Sequence, residues 1–208
     1  MMINLKNIQF QISEKTILKD INLNIQMGKT TVIMGKNGSG KSTLLKLLNQ
    51  IIKPSSGLFE SILSKPVPML FQKPLMFQNS VNYNYQILQK IKKHQINHFW
   101  FEKFDLLSLS NQKMNSLSEG EKQKIFISRI MSFDQSHLFL DEPNQSLDLQ
   151  SEKLLIDLLI NEKNKKTIII TLHDFEIAKK IGDYFIYLEN GQILLQDSYE
   201  NFFKKFCY

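Results

Sequence analysis

The sequence predicts an α/β fold with a mainly parallel sheet, an antiparallel β portion near its start and a helical block inserted midway. Three observations carry that prediction. Three short apolar runs, 31–34, 138–140 and 167–172, each end in polar residues: Gly35, then Asp141 and Glu142, then His173 and Asp174. Continuous apolar strands separated by helix-length segments are those of a parallel sheet covered on both faces. Before them, Leu5, Ile8, Phe10 and Ile12, then Ile17, Leu18, Ile21, Leu23 and Ile25 alternate in the manner of half-exposed antiparallel strands. The stretch 75–119 has neither Gly nor Pro. It carries Ile87, Leu88, Ile91, Ile96, Phe99, Trp100, Phe104, Leu106 and Leu107 among polar residues, as helices do.

Taken in order, the first parallel strand runs into residues 35–43, which read GKNGSGKST. This is G-x-x-x-x-G-K-S, a P-loop, followed by the helical pattern Leu44, Leu45, Leu47, Leu48 and Ile51. Gly35, Gly38 and Gly40 let backbone N–H groups turn inward around phosphate oxygens without a Cβ in the way. The next helix points its positive end at the same anion. Lys41 is placed to reach the β- and γ-phosphates, and the Ser42 hydroxyl to ligate Mg²⁺. Asn37, Ser39 and Thr43 belong to the same cradle. The plainer reading is a glycine-rich turn ahead of a helix. Near the end of the chain, 185–188 and 192–195 flank Glu189-Asn190-Gly191, which reads as a β-hairpin. Ligands of parallel sheets sit beyond the carboxyl ends of the strands. The polar residues ending the three runs are therefore expected at one site.

With 208 residues, the chain suits one domain, or one domain with a small insertion. One cysteine, Cys207, permits no disulfide framework and suits a reducing cytosol. The start, MMINLKNIQFQIS, has no apolar stretch behind a basic head, so no signal peptide is expected. No apolar run approaches the roughly 18 residues a spanning helix needs. Work at a membrane would require docking onto a partner. The net charge of +6 would allow a nucleic-acid or anionic-membrane partner. However, the lysines are scattered, as at Lys90, Lys92 and Lys93 or Lys163, Lys165 and Lys166, in the manner of solvated helix faces.

Four further stretches stand in a particular order with the P-loop. Gln72 follows 68–71, and Leu117-Ser118-Glu119-Gly120-Glu121 opens a helix over 121–131. Residues 138–143, LFLDEP, end a strand, and His173 ends another. Together they make the chain, from about Leu5 to about Asp197, similar to the nucleotide-binding subunit of an ABC (ATP-binding cassette) protein. The resemblance implies a P-loop NTPase core of RecA-like type, an antiparallel β subdomain, and a helical subdomain over about 75–135, all within one domain, 1–208. It implies ATP and Mg²⁺ as cofactors. It makes Glu142 the general base and His173 the switch that contacts the γ-phosphate. Ser42, Gln72 and Asp141 become the metal site. Ser118 and Gly120 would complete the nucleotide site of a second subunit, and Asp148 would lie in the loop touching that subunit. Each has a plainer reading: a structural carboxylate for Glu142, ordinary polar residues for Gln72 and His173, a helix N-cap for Asp148, and a capping box for Ser118 with Glu121. The common signature has Gly and Gln where this chain has Glu119 and Glu121. Ile12 falls where the family usually stacks adenine on an aromatic ring, which forgoes about 1 kcal/mol of stacking.

The resemblance also implies partners: a homodimer formed on ATP binding, a separate membrane permease, and a substrate-binding protein acting indirectly. Nucleic acid is not expected. The chain would sit in the cytoplasm, peripheral on the inner face of the membrane. The segment 71–81, FQKPLMFQNSV, is similar to that of tungstate-type oxyanion importer ATPases. Another small-solute importer, a small exporter for haem or lipoprotein release, and a non-transport mechanical ATPase are the alternatives.

Overall fold

A computed structural model describes residues 3–63, 66–91 and 98–206. Lys92, Lys93 and Ile96 of the helical block, and Cys207, lie outside them. The chain opens with β1 (Ile3–Ile12) and β2 (Lys15–Ile25), an antiparallel pair joined at Ser13 and Glu14. Then come β3 (Thr30–Met34), α1 (Lys41–Leu48), β4 (Ser56–Ser61) and β5 (Met69–Leu70). The helical block holds α2 (Val81–Ile91), α3 (Phe99–Lys103), two short 3-10 turns and α4 (Glu119–Met131). After it follow β6 (His137–Asp141), α5 (Leu149–Glu162), β7 (Thr167–Thr171) and α6 (Phe175–Ile181). The chain closes with β8 (Tyr184–Glu189), β9 (Gln192–Ser198) and α7 (Tyr199–Phe206).

The strands form two sheets. One is antiparallel, in the order β2-β1-β4; the other runs β5-β6-β7-β3-β8-β9, parallel except for β9. Strand β4, which the sequence pattern did not announce, pairs with β1. The period of two in the parallel strands divides the core. Val32, Leu138, Leu140, Ile168 and Ile170 face α4, α5 and α6. Ile33, Phe139, Ile169 and Ile186 face α1 and the antiparallel sheet, meeting Leu44, Leu45, Leu47, Leu48, Ile8 and Ile21. Each such side chain contributes about 1.5–3 kcal/mol on burial, so the two faces hold the sheet between layers. The parallel strands therefore read as unbroken apolar runs, and their carboxyl ends are left for polar chemistry.

Three local expectations are corrected. Helix α1 ends at Leu48, not near Ile51. Gln50 turns left-handed (φ 58°), its N–H bonds Leu47 O, and Ile51 is left 39% exposed ahead of Pro54. Helix α4 begins at Glu119, two residues before the expected start, because Ser118 caps it. Residues 75–80 are not helical: Ser80 bridges to Lys113 before α2 begins at Val81. Within the block, Trp100, Phe104 and Leu106 are buried, while Ile91, Phe99 and Leu107 face solvent. Among the described residues no helix is long and apolar enough to cross a membrane.

Candidate functional site

Strand β3 delivers the chain at Met34 into the glycine loop, which α1 closes with its first residue, Lys41. Lys41 is 5% exposed, and its Nζ donates to Gly35 O at 2.9 Å and Lys36 O at 3.3 Å. Burial pulls its pKa below the usual lysine value, and the nearby Glu142 and Asp141 carboxylates push back. The β6 end brings Asp141 and Glu142, the β7 end Thr171 and His173, and the β5 end Gln72.

These side chains form one network. Ser42 Oγ donates to Asp141 Oδ1 at 3.0 Å. Thr171 Oγ1 donates to the same oxygen at 2.7 Å and accepts from the Glu142 N–H at 2.9 Å. Glu142 adopts a left-handed backbone (φ 47°). Its Oε1 lies 2.6 Å from His173 Nε2 and 3.6 Å from Lys41 Nζ. Its Oε2 accepts from Gln72 Nε2 at 2.8 Å. The carboxylate is thus gripped from three elements while 7% exposed. Beside it opens a cleft of about 390 Å³, lined by Asn37, Gly38, Gly40, Lys41, Ser42, Thr43, Gln72 and Glu142, with Lys15 and Ile17 from β2. The Ser39 hydroxyl is buried without a hydrogen-bond partner among the described residues. Ile12 ends β1 opposite Lys15, is 58% exposed, and does not line the cleft.

The cleft has the chemistry of a phosphate-transfer site. The glycine loop with its positive-φ Gly38 and Gly40, a buried lysine and the α1 N-terminus favour an anion. The Ser42 hydroxyl and the Asp141 carboxylate lie side by side as hard oxygen donors. That donor set fits Mg²⁺, which takes one or two protein oxygens and keeps the rest of its octahedron for phosphates and water. Glu142 lines the cleft as a carboxylate, a group able to act as a general base.

Ser118, Gly120 and Asp148 lie outside this cleft. Ser118 caps α4 in a full capping box: its Oγ and N–H donate to Glu121 Oε2 at 2.7 and 2.8 Å, and its Oγ accepts from the Glu121 N–H at 3.3 Å. The Ser118 hydroxyl and amide hold the Glu121 carboxyl below the usual range. Gly120 lies against the Ser146 carbonyl, which a Cβ would meet at 2.7 Å. A second cavity, of about 400 Å³, runs between this helix start and Gln72, Lys73, Gln145 and Ser146, so Gln72 borders both spaces. Asp148 is the N-cap of α5, accepting from Ser151 N at 2.8 Å and Ser151 Oγ at 3.0 Å, with Lys124 Nζ at 3.2 Å. Those bonds take its carboxyl down to about 2.

Thr171, Lys15 and Ile17 belong to the site without standing in any of the sequence motifs. Thr171 carried a signal, a hydroxyl set among the apolar residues of the run 167–172. Lys15 and Ile17 carried none, because only the packing of the antiparallel sheet against the parallel one brings β2 over the glycine loop.

Comparison with known proteins points the same way. A family model described as ABC transporter matches residues 18–145. The tungstate uptake system ATP-binding protein TupC of Peptoclostridium acidaminophilum is 30% identical over 93% of this chain and 97% of its own length. The phosphonates import ATP-binding protein PhnC of Fusobacterium nucleatum is also 30% identical, over 92% of this chain and 90% of its own. A solved dimeric ATP-binding cassette, in a post-hydrolysis state bound to ADP and Pi, superposes with a TM-score of 0.84. It covers 95% of this chain and 99% of its own at 24% identity, a likeness of fold.

Proposed function

The chain belongs to the ABC transporter family as an ATP-binding, ATP-hydrolysing subunit, and on that premise we propose that it drives a separate membrane permease importing an oxyanion. The observation that carries the catalytic part is the grip on Glu142 by His173, Gln72 and Lys41 at the edge of the glycine-loop cleft.

In this reading the amides of 35–43 and Lys41 hold the β- and γ-phosphates. The triphosphate replaces Glu142 as the counter-charge of Lys41. Glu142 then remains with His173 and Gln72, which orient its carboxylate. It accepts a proton from the attacking water as the bond to the γ-phosphate forms and the β–γ bridging bond breaks. His173 would contact the γ-phosphate as well. Ser42 and Asp141, with Gln72 beside them, would hold Mg²⁺, which supplies charge neutralisation on the phosphates.

The helix-opening residues Ser118 and Gly120 contribute to no cleft of their own chain's nucleotide, which supports a role over the nucleotide of a second copy. Asp148, at the head of α5, would border that copy. ATP then bridges two chains through charge-assisted hydrogen bonds of roughly 1.5–3 kcal/mol each. Hydrolysis removes the bridge, and the helical subdomain over about 75–135 moves relative to the core. That motion is passed through the segment after Gln72, with its exposed Leu75, to a permease that anchors the subunit at the inner membrane face. A substrate-binding protein acts on the outer side, and nucleic acid plays no part. Relatives named for uptake or import support an importer, and within that reading the 71–81 segment, like that of tungstate-type ATPases, favours an oxyanion.

The test pairs two substitutions. Glu142→Gln should keep ATP binding, lose turnover by roughly 10²–10⁴-fold and dimerise with MgATP by light scattering. Adding Ser118→Arg should abolish the dimer while leaving ATP binding intact. Near-normal hydrolysis by Glu142→Gln, or a dimer indifferent to Ser118→Arg, would refute these roles. For the substrate, the membrane subunit that co-purifies is reconstituted with its binding protein. ATP hydrolysis stimulated by tungstate supports the reading; stimulation by a non-oxyanion solute instead sinks it.

A further inference from the structure

We propose that Thr171 is a positioning residue for hydrolysis, its hydroxyl tying the Asp141 carboxylate to the backbone of Glu142 so that the two acidic groups keep their relative places. The proposal rests on the roles given above to Asp141 and Glu142.

Thr171 ends β7, is fully buried, and is flanked by Ile168, Ile169, Ile170 and Leu172. A hydroxyl in such surroundings is costly unless paired. Parallel pairing of β6 with β7 sets Thr171 opposite Asp141. The hydroxyl is used in both directions there, donating to Asp141 Oδ1 at 2.7 Å and accepting from the Glu142 amide at 2.9 Å. Both consequences bear on the site. Asp141 Oδ1 receives Thr171 and Ser42 together, which fixes the rotation of the carboxylate. Glu142 stands at φ 47°, a left-handed backbone that a side chain bearing a Cβ keeps only where its surroundings hold it. The bond from its amide to Thr171 is such a hold. The turn it secures sends the Glu142 carboxylate to His173 and Gln72. Thr171 touches neither the cleft nor any reacting atom, so its action runs through these two neighbours.

Thr171→Val keeps the branched shape and the strand while removing both bonds; Thr171→Ser keeps the hydroxyl. In the nucleotide-free protein, amide exchange at Glu142, followed by NMR, should quicken about tenfold or more in Thr171→Val and stay near wild type in Thr171→Ser. With MgATP, Thr171→Val should lose about 10–100-fold in kcat and need more Mg²⁺ for half-maximal turnover, with the KM for ATP changed no more than about threefold. Thr171→Ser should restore most of that loss. A Thr171→Val protein with wild-type kcat and Mg²⁺ dependence, or a serine variant no better than valine, overturns the proposal. Melting temperatures are measured in parallel. If Thr171→Val does not fold, Thr171→Ala is judged on the same criteria. Should neither fold while serine does, the hydroxyl is structural and the positioning role falls. Glu142→Gln is assayed alongside. If it keeps turnover, the reading of Glu142 fails whatever Thr171 does; if it loses turnover and Thr171→Val does not, the Thr171 proposal alone fails.

Discussion

Gly35→Ala should damage both the fold and the nucleotide site. Gly35 sits at φ 144°, and a Cβ there would lie 2.1 Å from the Leu188 carbonyl oxygen and 2.9 Å from Ser39 Oγ. The backbone around this position cannot easily give. Leu188 belongs to β8, which is zipped to β3 through Met34↔Tyr187, and the Ser39 carbonyl accepts the Gly191 N–H at 3.0 Å. Ordinary contact therefore needs the loop or the strand to retreat by more than 1 Å. Overpacking of this kind costs about 1–3 kcal/mol, and the disfavoured backbone adds about 1–2 kcal/mol. A loss of about 2–5 kcal/mol is a large part of the roughly 5–15 kcal/mol that keeps a domain folded. In a chain of this size it should lower the melting temperature by roughly 5–15 °C. A shift of roughly 1 Å in the phosphate cradle should weaken its function on the order of 10²-fold. Gly38→Ala is the control. Its φ is 78°, but a Cβ there meets nothing within 4 Å, so only backbone strain of about 1–2 kcal/mol applies. Thermal melting and titration with a fluorescent ATP analogue measure both effects. A Gly35→Ala protein that melts within about 2 °C of wild type and binds ATP normally, or a Gly38→Ala protein less stable than it, would show that the close approach to Leu188 is not what demands glycine there.

Two further outcomes are expected. Ile12→Tyr should tighten ATP binding by about 0.5–1.5 kcal/mol if the base lies at the β1–β2 hairpin; an unchanged titration would place the base against Ile17 and Lys15 instead, which line the cleft. Asp148 has its carboxyl held at about 2, against an ordinary 3.8, first by the Ser151 amide, then by the Ser151 hydroxyl and Lys124. A depressed carboxyl contributes its stability fully above its unfolded value and loses it as pH falls through the folded one. The melting difference between wild type and Asp148→Asn should therefore close as pH falls from 3.8 toward about 2; a gap that stays constant over that window would show that the cap does not depend on charge.

The parts of this protein that could be read from the chain alone are those whose cause is local. The runs 31–34, 138–140 and 167–172 became buried parallel strands because every residue in them could face an apolar layer. Asn190-Gly191 became the hairpin turn because both residues tolerate positive φ, observed at 48° and 78°. The capping box of Ser118 with Glu121 could be read three residues apart. Where α1 stops was less legible: its apolar spacing continues to Ile51, but the left-handed Gln50 ends the helix sooner. The candidate site divides in the same way. The residues at the strand ends were visible as polar breaks in apolar runs, and parallel strand order implied that they would meet. How they meet depends on packing between segments far apart in the chain. Glu142 is held at once by His173, Gln72 and Lys41, which lie 31, 70 and 101 residues away. Thr171 reaches Asp141 and the Glu142 amide only through the register Asp141↔Thr171. Ile17 and Lys15, not Ile12, line the cleft because β2, rather than the end of β1, is laid across the glycine loop. A side chain's chemistry is written in its own residue, but its partners are chosen by strand order and register, which depend on contacts far apart in the chain.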